Sequence, residues 1–127
     1  MSDNSSKFSV SYAKDAVFAP QGLWSHFEYR NLGIADATGG RFGAHVIRAK
    51  EAREGGFKRH KHELEFQMFY MLKGWFKFEC EGQVITVKAG DSVHQPSGMP
   101  HVTIACSDDL ELIEITSPAE FPTIDVD

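Results

Sequence analysis

The chain is poor in cysteine and in positive charge, and it has no long apolar run. Its two cysteines, Cys80 and Cys106, cannot build the disulfide framework of a small secreted domain, and each lies in an apolar run typical of a buried free thiol. Thirteen Lys and Arg against eighteen Asp and Glu leave a net charge of −5, which argues against a nucleic-acid partner. No run approaches the roughly 20 residues of a membrane span, and the N-terminus lacks a signal-peptide pattern. We therefore predict a cytoplasmic protein with neither nucleic-acid nor membrane partners.

The 127 residues, 42% of them hydrophobic, are enough to bury one core and form a single domain. Short alternating or apolar runs are separated by turns that contain Gly or Asp, and no long stretch repeats with helical period. This pattern is typical of an all-β, antiparallel sandwich or barrel. We expect its strands at 24–31, 41–49, 66–73, 75–81, 83–88, 101–106 and 110–116. Outside them we expect a short helix over 13–19, a flexible N-terminal segment at 1–7 and an extended C-terminal tail at 118–127.

Three of the six histidines have a spacing that suits a metal site. His60 and His62 are two residues apart, so on a strand their side chains share one face. His101 opens another strand, and from a facing strand it can complete a set of three imidazoles. Such a set suits one divalent ion of Fe, Mn, Co, Ni, Cu or Zn. By spacing alone, a solvated pair of histidines is the more frequent alternative.

Two longer segments surround these histidines. Residues 56–74 read GFKRHKHELEFQMFYMLKG, and residues 90–101 read GDSVHQPSGMPH. In their glycine, proline and histidine spacing both segments resemble the two motifs of the cupin superfamily, and the chain is similar to its small single-domain, RmlC-like members. The resemblance covers about residues 40–116. It implies a double-sheet jelly-roll barrel and a single cupin domain over 1–127.

The resemblance also implies one divalent metal per chain, held by His60, His62 and His101, and a homodimer through paired sheet edges. The glutamate of the family's first motif falls on Gln67 here. An amide is a weaker, neutral donor, so we expect weaker metal retention and a preference for an anionic ligand. Four alternatives for the metal site stay open. Gln67 ligates the metal or forms a hydrogen bond within the site, or the three histidines bind the metal without it. Otherwise a strand bulge brings Glu63 or Glu65 to the metal, or the chain has lost metal binding.

Strand alternation from Gln67 predicts a small, mostly apolar pocket. The residues expected to line it are Phe69, Met71, Phe76, Phe78, Thr103 and Ala105, with His45 as a candidate at its mouth. Simple core packing is the alternative for the phenylalanines, and a sheet histidine is the alternative for His45. Such a pocket suits a compact small molecule with an apolar or aromatic body and one chelating end.

Two classes of function fit these features. From the resemblance we expect a mononuclear non-haem metal oxygenase, most simply a dioxygenase, acting on a small anionic or chelating molecule. No acid or tyrosine is clearly placed inside the predicted barrel, which argues against acid–base chemistry. The alternative is a non-catalytic cupin that binds or stores a small ligand, or a metal-dependent isomerase or lyase on the same scaffold.

Overall fold

The computed structural model describes residues 6–21, 24–55 and 57–126, and most of their regular structure is β-strand. The strands are β1 (Ala19–Gln21), β2 (Trp24–Asn31), β3 (Gly43–Ala49), β4 (Arg53–Glu54), β5 (His60–His62), β6 (Phe66–Lys73), β7 (Trp75–Cys80), β8 (Gln83–Lys88), β9 (Ser92–His94), β10 (His101–Cys106), β11 (Glu111–Ser117) and β12 (Thr123–Asp125). The described helical elements are a 3-10 turn over Ala13–Asp15 and helix α1 over Ile34–Ala37. Neither has the length or the apolar character that a membrane crossing requires.

The strands form two sheets that enclose one core. The first sheet has the order β1-β2-β3-β11-β6-β9, and the second has the order β12-β5-β10-β7-β8 with β4 beside β10. Every pairing is antiparallel. Strands that are distant in sequence, such as β3 and β11, lie side by side, as in a jelly roll. The predicted all-β, antiparallel double-sheet fold is therefore confirmed.

The chain ends differ from the expectation. The predicted helix over 13–19 is wrong beyond residue 15, because Ala16 turns to an extended ψ of 135° and β1 then pairs with β2. The predicted C-terminal tail contains an unforeseen strand, β12, which pairs with β5 and covers what would otherwise be a sheet edge. Of the predicted flexible N-terminus, residues 1–5 lie outside the described part of the chain.

Gly74 is the tightest point of the β6–β7 connection. Its φ of +73° lies in the left-handed region, which a Cβ disfavours. A Cβ at this position would also lie 2.9 Å from the backbone nitrogen of Leu110 and would overlap the hydroxyl of Ser107. That hydroxyl accepts a hydrogen bond from the Trp75 N–H across 2.9 Å. The motif glycine is therefore required by close approach of the turn before β11 as well as by its own φ.

We expect Gly74→Ala to destabilise the protein more than Gly82→Ala. Gly82 has a similar φ of +77° but no atom within 4 Å of its Cβ position, so its alanine costs only the left-handed backbone, about 1–2 kcal/mol. At Gly74 the neighbouring backbone must also move, which adds about 1–3 kcal/mol. Urea unfolding followed by far-ultraviolet circular dichroism measures both variants. Equal losses in the two would contradict the close approach.

Candidate metal centre

Three histidines converge on the inner side of the second sheet. His60 and His62 lie at the two ends of β5, and His101 opens the neighbouring strand β10. His101 pairs with His60 across the antiparallel ladder, and their ring centroids lie 4.4 Å apart. One possible ligand atom from each of the three rings lies within 4.8 Å of the other two. The third imidazole thus comes from the adjacent strand of the same sheet and not from a facing strand.

Backbone carbonyl groups orient two of these rings. The Nδ1 of His60 lies 2.9 Å from the carbonyl oxygen of Lys58, and the Nδ1 of His101 lies 3.0 Å from that of Met99. Because a carbonyl oxygen only accepts, Nδ1 carries the proton in both hydrogen bonds and Nε2 keeps its lone pair. Burial lowers the pKa of His101, which favours this neutral form. Neutral imidazoles in this tautomer are suited to bind a divalent metal through Nε2.

The third ring, His62, is oriented by the C-terminal segment. Its Nδ1 lies 2.9 Å from the hydroxyl oxygen of Thr123 on β12. The ring of Phe121 packs edge-on against it, with the centroids 5.3 Å apart. Burial and the neighbouring imidazoles of His60 and His101 lower the pKa of His62 to about 3, so this ring is also neutral at physiological pH. Residues that the sequence assigned to a tail therefore position one of the three candidate ligands.

The three rings face a cavity of about 200 Å³ between the sheets. The second sheet contributes the histidines and Thr103 to its wall. The first sheet contributes polar groups of its own, from Tyr29, Gln67 and Glu114. Aromatic side chains make up much of the remaining lining, among them Phe69, Phe76, Phe78 and Phe121. The cavity therefore combines a possible metal site with polar groups on the opposite wall and apolar sides.

A glutamine and a glutamate form a hydrogen-bonded pair in the wall of the first sheet. Gln67 on β6 is 3% exposed, and its Nε2 donates to Oε2 of Glu114 on β11 across 2.9 Å. The two residues are diagonal neighbours in the β6–β11 ladder, where Gln67 pairs with Thr116 and Glu114 pairs with Phe69. Burial raises the pKa of Glu114, while the hydrogen bond from Gln67 opposes that rise. A carboxyl group thus lies beside the motif position that lacks one.

The expectation that no acid or tyrosine lies inside the fold is wrong. Glu114 and Tyr29 both line the cavity, and burial, with a smaller effect of Glu114, raises the pKa of the Tyr29 hydroxyl. Glu63 and Glu65, the acids considered as substitutes at the metal, are exposed and lie outside the cavity lining. The acid that lines the cavity, Glu114, comes from the neighbouring strand β11, so its position depends on strand order and not on a bulge.

The predicted lining residues divide into two groups. Phe69, Phe76, Phe78 and Thr103 line the cavity, whereas Met71, Ala105 and His45 do not. Met71 is 0% exposed and lies deeper in the core. A register shift in β10 between Thr103 and Ala105 interrupts the alternation, so Cys106 joins the core cluster on the inner side. His45 packs against Tyr29, with ring centroids 6.3 Å apart.

Sequence reasoning missed four polar residues of the lining. They are Tyr29, Gln95, Glu114 and Thr123. Gln95 lies inside the second motif, and its N–H donates to the carbonyl oxygen of Gln67 across 3.0 Å, so the motif context was a usable signal. For Glu114 the alternating pattern of 110–116 offered two faces with apolar residues on both, so it did not show which face points inward. Thr123 follows two prolines, which concealed the strand.

The donor chemistry of the three histidines fits a divalent transition metal. Neutral imidazoles suit Fe, Mn, Co, Ni, Cu and Zn. Among the described residues the close group consists of histidines alone, so it adds no negative charge to a bound ion. Such a centre favours a further ligand that is itself anionic.

Comparison with known proteins agrees with this architecture. The family model described as a Cupin domain matches residues 49–116. An oxalate-binding protein from Thermotoga maritima is 37% identical over 57 residues, 44% of this chain and 47% of that protein, so the match spans about half of that relative's length. KdgF from Halomonas sp. has a TM-score of 0.71 at 21% identity, covering 90% of this chain and 96% of that one. The polyketide cyclase RemF from Streptomyces resistomycificus has a TM-score of 0.70 at 18% identity, covering 94% and 86%.

We expect Thr123→Val to weaken metal binding by about tenfold to a hundredfold, because His62 loses the hydrogen bond that orients its ring. Thr123 is exposed, so the substitution leaves no core cavity. Thr123→Ser keeps the hydroxyl group and is the matched control, with affinity close to the parent. Competition with a chromogenic chelator measures all three proteins. An unchanged affinity in Thr123→Val would show that the hydrogen bond does not position the ring.

Proposed function

The chain belongs to the cupin family, and on this premise we propose that it is a metal-dependent enzyme acting on a small anionic, chelating molecule. One observation carries the proposal: a single cavity is lined both by three convergent imidazoles and by a hydrogen-bonded carboxyl group. The imidazoles suit a metal, and a carboxyl group is a common proton-transfer group. Their shared cavity supports metal-assisted acid–base chemistry.

In this proposal His60, His62 and His101 hold one divalent metal ion. When bound, the metal supplies a Lewis acid that polarises carboxylate or carbonyl oxygens. Because an imidazole that binds a metal through Nε2 is neutral, three such ligands leave the binding of negative charge to the incoming molecule. The substrate therefore carries a carboxylate or a comparable pair of oxygens at one end.

Glu114 takes the role of the proton-transfer group. It lies on the first sheet, across the cavity from the histidines, and the Gln67 amide holds its carboxyl group in place. A C–H bond of the bound molecule breaks and its proton passes to Glu114, which then returns a proton to another carbon or to a departing oxygen. The overall reaction is therefore an isomerisation or an elimination, and it consumes no oxidant. The Tyr29 hydroxyl, kept protonated by its raised pKa, is available to donate a hydrogen bond in the same cavity.

The aromatic lining limits which molecules the cavity accepts. Phe69 contacts both Phe76 and Phe78, with ring centroids 5.7 and 6.1 Å apart. A cavity of about 200 Å³ with such walls accepts a compact molecule. This lining also favours a second candidate function, the dioxygenase expected from the resemblance, whose substrate has an apolar or aromatic body. The absence of an acid inside the fold would favour a dioxygenase over acid–base chemistry. Glu114 lines the cavity, so this reason does not apply.

The partial match to an oxalate-binding protein favours a further candidate, reversible binding of a small dicarboxylate without turnover. We also propose that the protein works in the cytoplasm as a homodimer. Cys80 and Cys106 are both free thiols, which suits a reducing compartment.

We expect Glu114→Gln to retain ligand binding and lose proton transfer. Binding of oxalate and of small 2-hydroxy and 2-keto acids is followed by the visible spectrum of the Co²⁺-loaded protein, and proton transfer by deuterium exchange at carbon in D₂O. Wild type should exchange at least one of these acids, and Glu114→Gln should slow the exchange by roughly a hundredfold or more. Glu111→Gln, on the outward face of the same strand, is the control.

Exchange that survives in Glu114→Gln would contradict the role of Glu114. Oxygen uptake that needs the histidines but not Glu114 would favour the dioxygenase instead. A spectral response without exchange or oxygen uptake would favour simple binding. His60→Ala/His62→Ala should abolish the Co²⁺ spectrum itself, and retention of that spectrum would contradict the proposed metal ligands.

We expect the exchanged pair Gln67→Glu/Glu114→Gln to bind divalent metal at least about tenfold more tightly than wild type. The exchange keeps one amide and one carboxylate in contact but moves the negative charge to the motif position, where it attracts the metal. Gln67→Glu alone instead sets two carboxylates side by side and should lower the melting temperature. Chelator competition and thermal unfolding measure these effects. Unchanged metal affinity in the exchanged pair would mean that position 67 does not face the metal.

A further inference from the structure

A buried amide group in the cavity wall has no hydrogen-bond partner among the described residues. Gln95 directly follows β9, lines the cavity and is only 7% exposed. Its backbone N–H is bonded to Gln67, but none of the described residues hydrogen-bonds its side-chain amide. In the described part of the chain, the polar side-chain atom that is both fully enclosed and unpartnered is Nε of Arg30. The Gln95 amide therefore keeps some accessible surface, which we assign to the cavity that the residue lines.

Two more polar groups of the cavity wall are available to a ligand. Nε2 of Gln67 donates to Glu114, which leaves Oε1 of the same amide without a partner in the described part of the chain. The Tyr29 hydroxyl lines the cavity and is likewise not hydrogen-bonded to any described residue. Buried polar groups in native proteins are usually satisfied, and a ligand is one way to satisfy them. Together with the Gln95 amide, these groups form what we call the polar wall.

The cavity has no cationic side chain to receive a second negative charge. Among the described residues that line it there is neither a lysine nor an arginine. Arg59 is paired with Glu79, and the Arg53 guanidinium lies 5.6 Å from the ring centroid of Phe57. The carboxyl group of Glu114 in the lining disfavours another carboxylate beside it. A negative charge away from the metal would therefore be buried without compensation.

We propose that the ligand is a monocarboxylate with a hydroxyl group beyond its metal-binding end, and that Gln95 binds this hydroxyl. The inference rests on the proposed function, in which the histidines and their metal bind the carboxylate end. A hydroxyl group both donates and accepts, so it complements the Gln95 amide and Oε1 of Gln67. A methyl group at the same place leaves both amides unsatisfied. A second carboxylate only accepts, and it adds the uncompensated charge.

This specificity separates two kinds of dicarboxylate. Both carboxylates of oxalate can bind the same metal ion, so oxalate leaves the polar wall untouched. A longer dicarboxylate must place its second carboxylate away from the metal, in a cavity whose described lining has no lysine or arginine. The inference therefore predicts discrimination against longer dicarboxylates and makes no demand on oxalate.

Three ligands that differ only at their last carbon test the proposal. 2-Hydroxypentanoate ends in a methyl group, 2,5-dihydroxypentanoate in a hydroxymethyl group and 2-hydroxyglutarate in a carboxylate, and all three share one chelating end. The visible spectrum of the Co²⁺-loaded protein gives their dissociation constants and needs no turnover. We expect 2,5-dihydroxypentanoate to bind about three- to tenfold more tightly than 2-hydroxypentanoate, because it gains one hydrogen bond. 2-Hydroxyglutarate should bind at least about tenfold more weakly than 2,5-dihydroxypentanoate.

The variant Gln95→Leu assigns the preference to one side chain. Leucine removes the amide at a similar volume, so the variant should bind the hydroxymethyl and methyl ligands within about twofold of each other. Because the lost amide has no partner among the described residues, the melting temperature should not fall. Gln83→Leu is the matched control, since Gln83 is exposed on β8 and outside the cavity lining. This control should keep the wild-type preference.

The outcomes distinguish this inference from the proposed function. Wild-type protein that binds the methyl and hydroxymethyl ligands equally, or binds 2-hydroxyglutarate most tightly, would overturn the inference and leave the metal-dependent function standing. A hydroxyl preference that survives in Gln95→Leu would overturn the role of Gln95. Binding of none of the three acids would contradict the proposed function and the inference with it. If Gln95→Leu does not fold, the wild-type series still decides between hydroxyl, methyl and carboxylate.

Discussion

The candidate site depends on the backbone pairing of β5, a strand of three residues held between β10 and β12. His60 pairs with His101 on one side and with Asp125 on the other, and His62 pairs with Thr123. Opposed residues of an antiparallel ladder stand about 5 Å apart, so imidazoles from adjacent strands meet without backbone distortion. The same ladder brings Thr123 to the Nδ1 of His62. The pairing of this one strand therefore sets the spacing of the candidate ligands and the orientation of His62, while the carbonyl groups of Lys58 and Met99 orient the other two rings.

The pair of Gln67 and Glu114 shows how the fold accommodates polar groups in an aromatic cavity. A buried polar group without a partner costs about 1–3 kcal/mol, and here the amide and the carboxyl group satisfy each other. Since Nε2 of Gln67 donates to Glu114, its amide oxygen is the part left for other contacts. The chain thus retains one carboxyl group beside the motif position, on β11 instead of β6.

Strand β11 carries polar residues on an inner face that is otherwise largely apolar. On β11 the inward positions include Glu114 and Thr116, while the outward positions are Ile113 and Ile115. Glu114 lines the cavity, and this polar cavity accounts for a carboxyl group on the inner face.

The local signals in the sequence were sufficient for the strands and for the histidine pair. Gly and Asp punctuate runs with a period of two, so the predicted strands at 66–73 and 101–106 match β6 and β10 residue for residue. His60 and His62 share a face because they are neighbours along one strand. A left-handed φ at Gly74 is a local reason for the motif glycine, and the close approach of Leu110 is a second reason that comes from packing. By contrast, the position of Glu114 beside Gln67, the hydroxyl of Thr123 on His62 and the exclusion of Ala105 from the cavity depend on strand order, on a late strand pairing and on a bulge. These are contacts between residues far apart in sequence, and only the packing of the two sheets brings them together.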